Sequence, residues 1–177
     1  MDRNAILDAM EKKAKAIYES NPKYVRYGKR GMLVVETKDP DISGQWDSTS
    51  RSFGTVFRDY SFDGELVVNN GTNFDALAHG KVAFSRRKNL NSGTNYYQVL
   101  GYESFFKGSV ISDDGKCICA FAGLSQSDDE IIATAGIECY ESQKESDPNF
   151  SSASADEQAQ PGESAVNVPK KGAAKKQ

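Results

Sequence analysis

The 177-residue sequence is poor in the side chains that most often carry chemistry. It contains one histidine, one tryptophan and three cysteines, and 38% of its residues are hydrophobic. No stretch approaches the roughly 20 consecutive apolar residues that a membrane-spanning helix needs, so we expect no membrane span. No Ser/His/Asp set, paired-carboxylate motif or phosphate-binding loop is visible, which argues against an enzyme without excluding one.

Neither sign of charge dominates the sequence, since the formal net charge is −3. Acids and bases alternate through most of the chain, and this pattern argues against a surface dedicated to nucleic acid. The N-terminal residues 1–13 carry acids and lack the apolar core of a secretory signal, so we expect a cytoplasmic protein.

The three cysteines lie in segments that read as buried. Cys117 and Cys119 alternate along one predicted strand and therefore point to the same side of it. We interpret Cys117, Cys119 and Cys139 as small core residues in a reducing compartment. The alternative, a set of thiolate ligands, is disfavoured because no histidine lies nearby at zinc-site spacing.

The first half of the chain alternates helical and extended patterns. Residues 4–20 keep an apolar face at helical spacing, and the Asn21-Pro22 pair is expected to end that helix. Residues 24–37 read as the first sheet segment, and residues 38–52 read as a loop because Asp, Pro, Ser, Gly and Thr dominate. Trp46, in the middle of that loop, either anchors it or contacts a partner or ligand.

The middle of the chain predicts a hairpin followed by a helix. Residues 53–60 alternate apolar and polar side chains, residues 65–69 form another short strand, and Asp63-Gly64 between them is a turn signal. After a loop at 69–73, residues 74–88 are predicted to be helical. Asn73 or Thr72 is expected to cap this helix.

The region that organises the fold spans residues 105–140. A strand from Phe105 to Ile111, a turn at Asp113–Gly115 and an apolar strand over 116–124 form a predicted hairpin. The continuous apolar run predicts a strand that is covered on both faces. A helix follows, for which Ser127 and Glu130 form a predicted capping box. Its predicted apolar face consists of Ile131, Ile132, Ala135 and Cys139.

These elements predict an α/β sandwich, an antiparallel sheet flanked by helices, over residues 1–140. Residues 141–177 are rich in Ser, Ala, Gln, Glu and Pro and end in KKGAAKKQ. We predict a disordered polar tail with a basic tip.

One segment resembles a known family. The run DDGKCICAFAGLSQSDDEIIATAGI at residues 113–137 is similar to the C-terminal signature of the GlcG-like family. In that family a small-residue strand precedes an acidic helix start, and here residues 119–125 take the place of that strand. Ala133, Ala135 and Gly136 match the end of the helical part of the signature. The family includes haem-binding HbpS-type sensors and the C-terminal module of PduO-type proteins.

The resemblance implies profilin-like layering, homo-oligomers, and haem or a related tetrapyrrole as the ligand. It also implies a site on the helix at 74–88, with His79 as an axial ligand of haem iron. Lys81 fits the pattern of the equivalent family helix, and Arg86 and Arg87 match its basic close. A surface or packed histidine remains the alternative for His79. For the arginines, the alternatives are cations that favour a helix C-terminus or a clamp for carboxylates.

Three hypotheses for the function follow. The leading one is a non-enzymatic module that binds a small ligand, and it predicts that His79 faces a cavity. The second is a structural or assembly subunit that acts through loop 38–52, the aromatic segment 96–106 or the tail. The third is an enzyme that acts on haem or a small organic acid, which predicts titratable groups that converge in a pocket.

Overall fold

The computed structural model describes residues 1–39, 42–62, 65–93, 100–101, 103–104 and 106–146, with backbone only at 57–62 and 65–71. Four helices and six strands occur in these ranges. In chain order they are α1 (Arg3–Ser20), α2 (Pro22–Tyr27), β1 (Met32–Lys38), β2 (Trp46–Ser52), β3 (Phe57–Phe62), β4 (Glu65–Asn73), α3 (Phe74–Lys88), β5 (Ser109–Ile111), β6 (Cys117–Ala122) and α4 (Gln126–Ser146).

Four strands form one antiparallel sheet in the order β2-β1-β6-β5. Val35 of β1 lies opposite Thr49 of β2 on one side and opposite Cys119 of β6 on the other. Strands β3 and β4 pair with each other in a separate antiparallel hairpin, as the sequence predicts.

Helices cover both faces of the central strands. Alternate residues of β1 point to opposite faces, so Leu33 and Val35 pack in the core beneath α1 and α4, whereas Val34 packs in the core beneath α3. All six residues of β6 are buried. The predicted α/β sandwich and its doubly covered strand are therefore confirmed.

Two further local predictions are confirmed. Helix α3 spans Phe74–Lys88, and the Asn73 side chain caps it by accepting a hydrogen bond from the Ala76 amide at 3.0 Å. The β5–β6 turn contains Gly115 at φ +64°, a conformation that glycine adopts at low cost.

The structure corrects the predictions for residues 24–52. Residues 24–27 are helical rather than extended, because the Asn21 side chain accepts from the Lys23 amide and Pro22 occupies the first turn of α2. The predicted loop at 38–52 contains β2, which pairs with β1 along its whole length. It is polar because it is an edge strand with alternate residues exposed, so its composition resembles that of a loop. Trp46 begins this strand, and the Lys38 ammonium lies 5.5 Å from its ring centroid.

Corrections also apply to strand bounds. The loop expected at 69–73 is the end of β4, and β5 begins at Ser109 rather than at residue 105. Most of the aromatic segment 96–106 lies outside the described residues.

Helix α4 starts and packs differently from the prediction. Ser125 is the capping residue, because its Oγ accepts from the Asp128 amide at 3.2 Å and donates to the Asp128 carboxylate at 2.7 Å. The predicted box at Ser127 and Glu130 is thus two residues late. Ile131, expected on the buried face, is 46% exposed. The helix continues to Ser146, past the boundary expected at residue 140, and the tail from 147 onward is outside the described residues.

None of the helices in the described ranges is long and apolar enough to cross a bilayer.

Candidate functional site

Among the described residues, helix α3 leaves side chains of the edge strand β2 exposed on its face of the sheet. It packs over β6 and touches β1 and β5 to either side, whereas the edge strand β2 lies beyond these contacts. On this face β2 carries Trp46, which is partly buried, and then the exposed Ser48 and Ser50. We call the space between α3 and β2, with β1 as its floor, the α3–β2 trough.

His79 and Arg86 lie on the flank of α3 that faces this trough. They are about two helical turns apart, so their side chains leave the helix in nearly the same direction. The Arg86 guanidinium donates to Glu36 of β1 at 3.0 Å. The His79 Nε2 lies 3.4 Å from an oxygen of Asp75, one turn earlier. The side chains of His79 and Arg86 are 43% and 44% exposed, so both are accessible to a ligand.

Glu36 connects these two residues electrostatically. It is a buried acid in an otherwise apolar part of β1. Burial raises the pKa of Glu36, and the neighbouring Arg86 and His79 side chains oppose this shift. The three groups therefore form one cluster at the floor of the trough.

Lys81 lies on the opposite flank of α3 and is buried. Its ammonium donates to the Phe121 carbonyl at 2.7 Å and to the Asp129 carboxylate at 2.8 Å. The second oxygen of Asp129 accepts from the Leu124 amide at 2.9 Å. The lysine reaches past Gly108, where an added Cβ would lie 2.6 Å from the ammonium. This ion pair connects helices on the two faces of the sheet.

Burial shifts both partners of this pair towards their neutral forms. Burial lowers the pKa of Lys81 and raises the pKa of Asp129, while their mutual attraction opposes each shift. The side chains are 2% and 5% exposed. Because nothing in the described contacts opens Lys81 to solvent, we assign it a structural role and not a role in ligand capture.

Arg87 is also engaged elsewhere. Its guanidinium pairs with Glu103 through Nε and through Nη2, the latter at 2.6 Å, and Glu103 in turn accepts from the Leu100 amide at 2.9 Å. The structure thus brings His79 and Arg86 together and places Lys81 and Arg87 at two other locations. Sequence reasoning missed Glu36 and Asp129, although each is a charged residue beside an apolar run.

The cysteines belong to the core beneath α1 and α4. Cys117 and Cys119 are buried, share one side of β6 as predicted, and have sulfur atoms 3.9 Å apart. Burial raises the pKa of the Cys119 thiol, so it remains protonated and unreactive at neutral pH. Over the described ranges no group of three or more His, Cys, Asp or Glu side chains is arranged to hold a metal ion.

No family model, no curated protein and no solved structure matches this chain.

Proposed function

We propose that this protein is a non-enzymatic module that binds haem or a related tetrapyrrole in the α3–β2 trough. In this proposal the His79 imidazole would bind the haem iron, and Arg86 would bind a propionate carboxylate. Bound haem supplies an iron centre, whereas the chain supplies the imidazole, the cation and a partly apolar floor.

The observation that carries the proposal is the accessible imidazole on the same flank as an accessible guanidinium. A rise of about 1.5 Å per residue places positions 79 and 86 about 10 Å apart along α3. A flat macrocycle with carboxylates at its edge spans such a separation. The carboxylate of Asp75 lies close enough to orient the His79 ring, which is the usual role of an outer-sphere partner of a ligating histidine.

The floor of the trough supports a ligand that is part apolar and part anionic. Met32 and Trp46 pack partly exposed against the core beneath α3, and the Lys38 ammonium lies over the Trp46 ring. Of the four residues implicated by the family resemblance, His79 and Arg86 fit this role. Lys81 does not, because it is buried against Asp129, and Arg87 does not, because it points away from this flank to Glu103, which binds both its Nε and its Nη2.

Titration with haemin, followed by absorbance, tests the proposal. The wild-type chain should develop a Soret band that saturates at one haemin per chain, and His79→Ala should lose it. Arg86→Gln should retain the band with roughly tenfold weaker binding, because one charge-assisted hydrogen bond is lost. Arg87→Gln is the matched control and should bind like the wild type. An unsaturable band that is identical in all four proteins contradicts the proposal.

One observation favours a second candidate function, an assembly subunit. Leu100 and Phe106, both described residues of segment 96–106, are 41% and 43% exposed. Exposed large apolar side chains in one segment are common at contacts between subunits. Sedimentation of the wild type and of Leu100→Ser/Phe106→Ser distinguishes the candidates. An oligomer that dissociates in the double variant supports assembly, and a monomer in both cases contradicts it.

A further inference from the structure

Helix α2 and the residues after it form a basic surface with exposed apolar side chains. The stretch at 22–30, PKYVRYGKR, contains four cations and no acid in a chain whose net charge is −3. Lys23, Arg26 and Lys29 are exposed, and the side chains of Val25 and Tyr27 are 50% and 52% exposed. We call Lys23, Val25, Arg26, Tyr27 and Lys29 the α2 surface.

Among the described residues, no carboxylate neutralises the cations of this surface. Elsewhere, surface cations such as Arg3, Arg51 and Lys107 pair with carboxylates at 2.6–3.3 Å. In the described part of the chain, no carboxylate lies within ion-pair distance of Lys23, Arg26 or Lys29. A concentration of positive charge therefore faces outward.

The acid that contacts α2 and the acid just before it in the chain are already engaged. Asp128, at the start of α4, accepts hydrogen bonds from the Tyr24 and Ser125 hydroxyls, and Glu19, near the end of α1, lies 3.9 Å from the Lys15 ammonium. Tyr24 is buried, so its bond to Asp128 fixes α2 against α4. Tyr24 therefore faces α4, and the cations of the short helix lie on its exposed sides.

The arrangement of the α2 surface favours a lipid bilayer over other anions. Lys23, Arg26 and Tyr27 fall at i, i+3 and i+4 and share one side of the helix, and Val25 lies beyond Arg26, about 100° further around the helix. An exposed aliphatic side chain and a tyrosine next to cations match a membrane interface, where apolar groups enter the acyl boundary and cations meet anionic headgroups. Single-stranded nucleic acid would instead require a series of stacking aromatics in a groove.

We propose that the α2 surface binds this protein peripherally to membranes that contain anionic lipid. Lys23, Arg26 and Lys29 bind the headgroups, while Val25 and Tyr27 insert between them. This contact is independent of the α3–β2 trough and requires no membrane-spanning segment.

Co-sedimentation of the full chain with phosphatidylcholine vesicles, with and without phosphatidylserine, tests the proposal. We expect binding only with phosphatidylserine, and weaker binding as salt rises. Lys23→Gln/Arg26→Gln should lower the partition coefficient roughly thirtyfold, the effect of removing two cations near an anionic surface. Lys12→Gln/Lys13→Gln makes the same change in net charge on exposed residues of α1 and should leave partitioning nearly unchanged.

A second variant separates insertion from simple charge attraction. Val25→Ser should lower partitioning roughly fivefold, because about half of a valine side chain is left without apolar burial. Absence of binding, equal losses in the two double variants, or no effect of Val25→Ser overturns the proposal. Tighter binding to a single-stranded oligonucleotide than to the vesicles overturns it as well, since the surface would then be a nucleic-acid site.

Discussion

Replacing Lys81 by methionine should strongly destabilise the fold. The change removes the ammonium but keeps most of the side-chain volume. It leaves the Asp129 carboxylate, 5% exposed, with the Leu124 amide as its remaining described donor. It also removes the described side-chain donor to the Phe121 carbonyl.

The magnitude follows from the burial of the pair. Removing one partner of a buried ion pair typically costs about 3–5 kcal/mol, because the other charge remains buried and unpaired. A surface ion pair contributes only about 0–1 kcal/mol, so a small effect would mean that water reaches the carboxylate. We expect Lys81→Met to fall in the higher range.

Urea unfolding, followed by circular dichroism, measures this cost. The double variant Lys81→Met/Asp129→Leu removes both charges and should be more stable than Lys81→Met alone, since no charge is left buried. Lys12→Met, on the exposed side of α1, is the control and should change the free energy of unfolding by less than about 0.5 kcal/mol. A loss below about 1 kcal/mol in Lys81→Met, or a double variant no more stable than that single variant, would show that the Asp129 carboxylate is not left buried and unpaired.

Three further predictions concern stability: the effect of a glycine, the effect of a helix cap and the dependence on pH. Gly108→Ala should lower the free energy of unfolding in urea by at least about 2 kcal/mol, since Gly108 has φ +122° and the new Cβ would lie 2.6 Å from the Lys81 ammonium. Gly28→Ala should lower it less, because Gly28 also has a positive φ (+75°) but no atom lies within 4 Å of the new Cβ. Ser125→Ala should lose about 1 kcal/mol of helix-cap stabilisation and Ser127→Ala almost none, and the reverse order would contradict the observed cap. Burial of Asp114 opposes its ionisation, but hydrogen bonds from Ser112 and Lys144 outweigh burial and lower the pKa of Asp114. The ionised carboxylate therefore stabilises the fold fully above the ordinary pKa of aspartate, and this contribution is lost as pH falls through the lowered pKa. Stability profiles of the wild type and Asp114→Asn should therefore converge in acid; a constant difference at every pH would contradict this.

The fold was largely predictable because its central elements carry strong local signals. The apolar run of β6, the Asp-Gly turn before it and the helical spacing of α3 each specify their structure from neighbouring residues. Strand β2 has no such signal. Its sequence, WDSTSRS, becomes a strand because it pairs with β1 along its whole length. That pairing is a tertiary contact, which the residues of β2 alone do not reveal.

The site was less predictable than the fold. His79 and Arg86 could be proposed from residue type and helical spacing, but the acid to which Arg86 donates, Glu36, lies on another element. Lys81 looked like one more cation of α3, and its burial follows from Asp129 on α4, far along the chain. Lysine is rarely buried without a partner, and sequence alone did not reveal the partner. Helix α2 did carry a local signal, since Asn21 can cap a helix and Pro22 suits its first turn, but residues 24–37 were expected to be extended.

The fluorescence of Trp46 during haemin titration tests the proposed function most directly. Trp46 is the only tryptophan in the chain, and haem absorbs where tryptophan emits, so bound haem quenches it. We expect saturable quenching at one haemin per chain in the wild type and in Arg87→Gln, and its loss in His79→Ala. Equal quenching in His79→Ala, or none in the wild type, would contradict a haem site at His79.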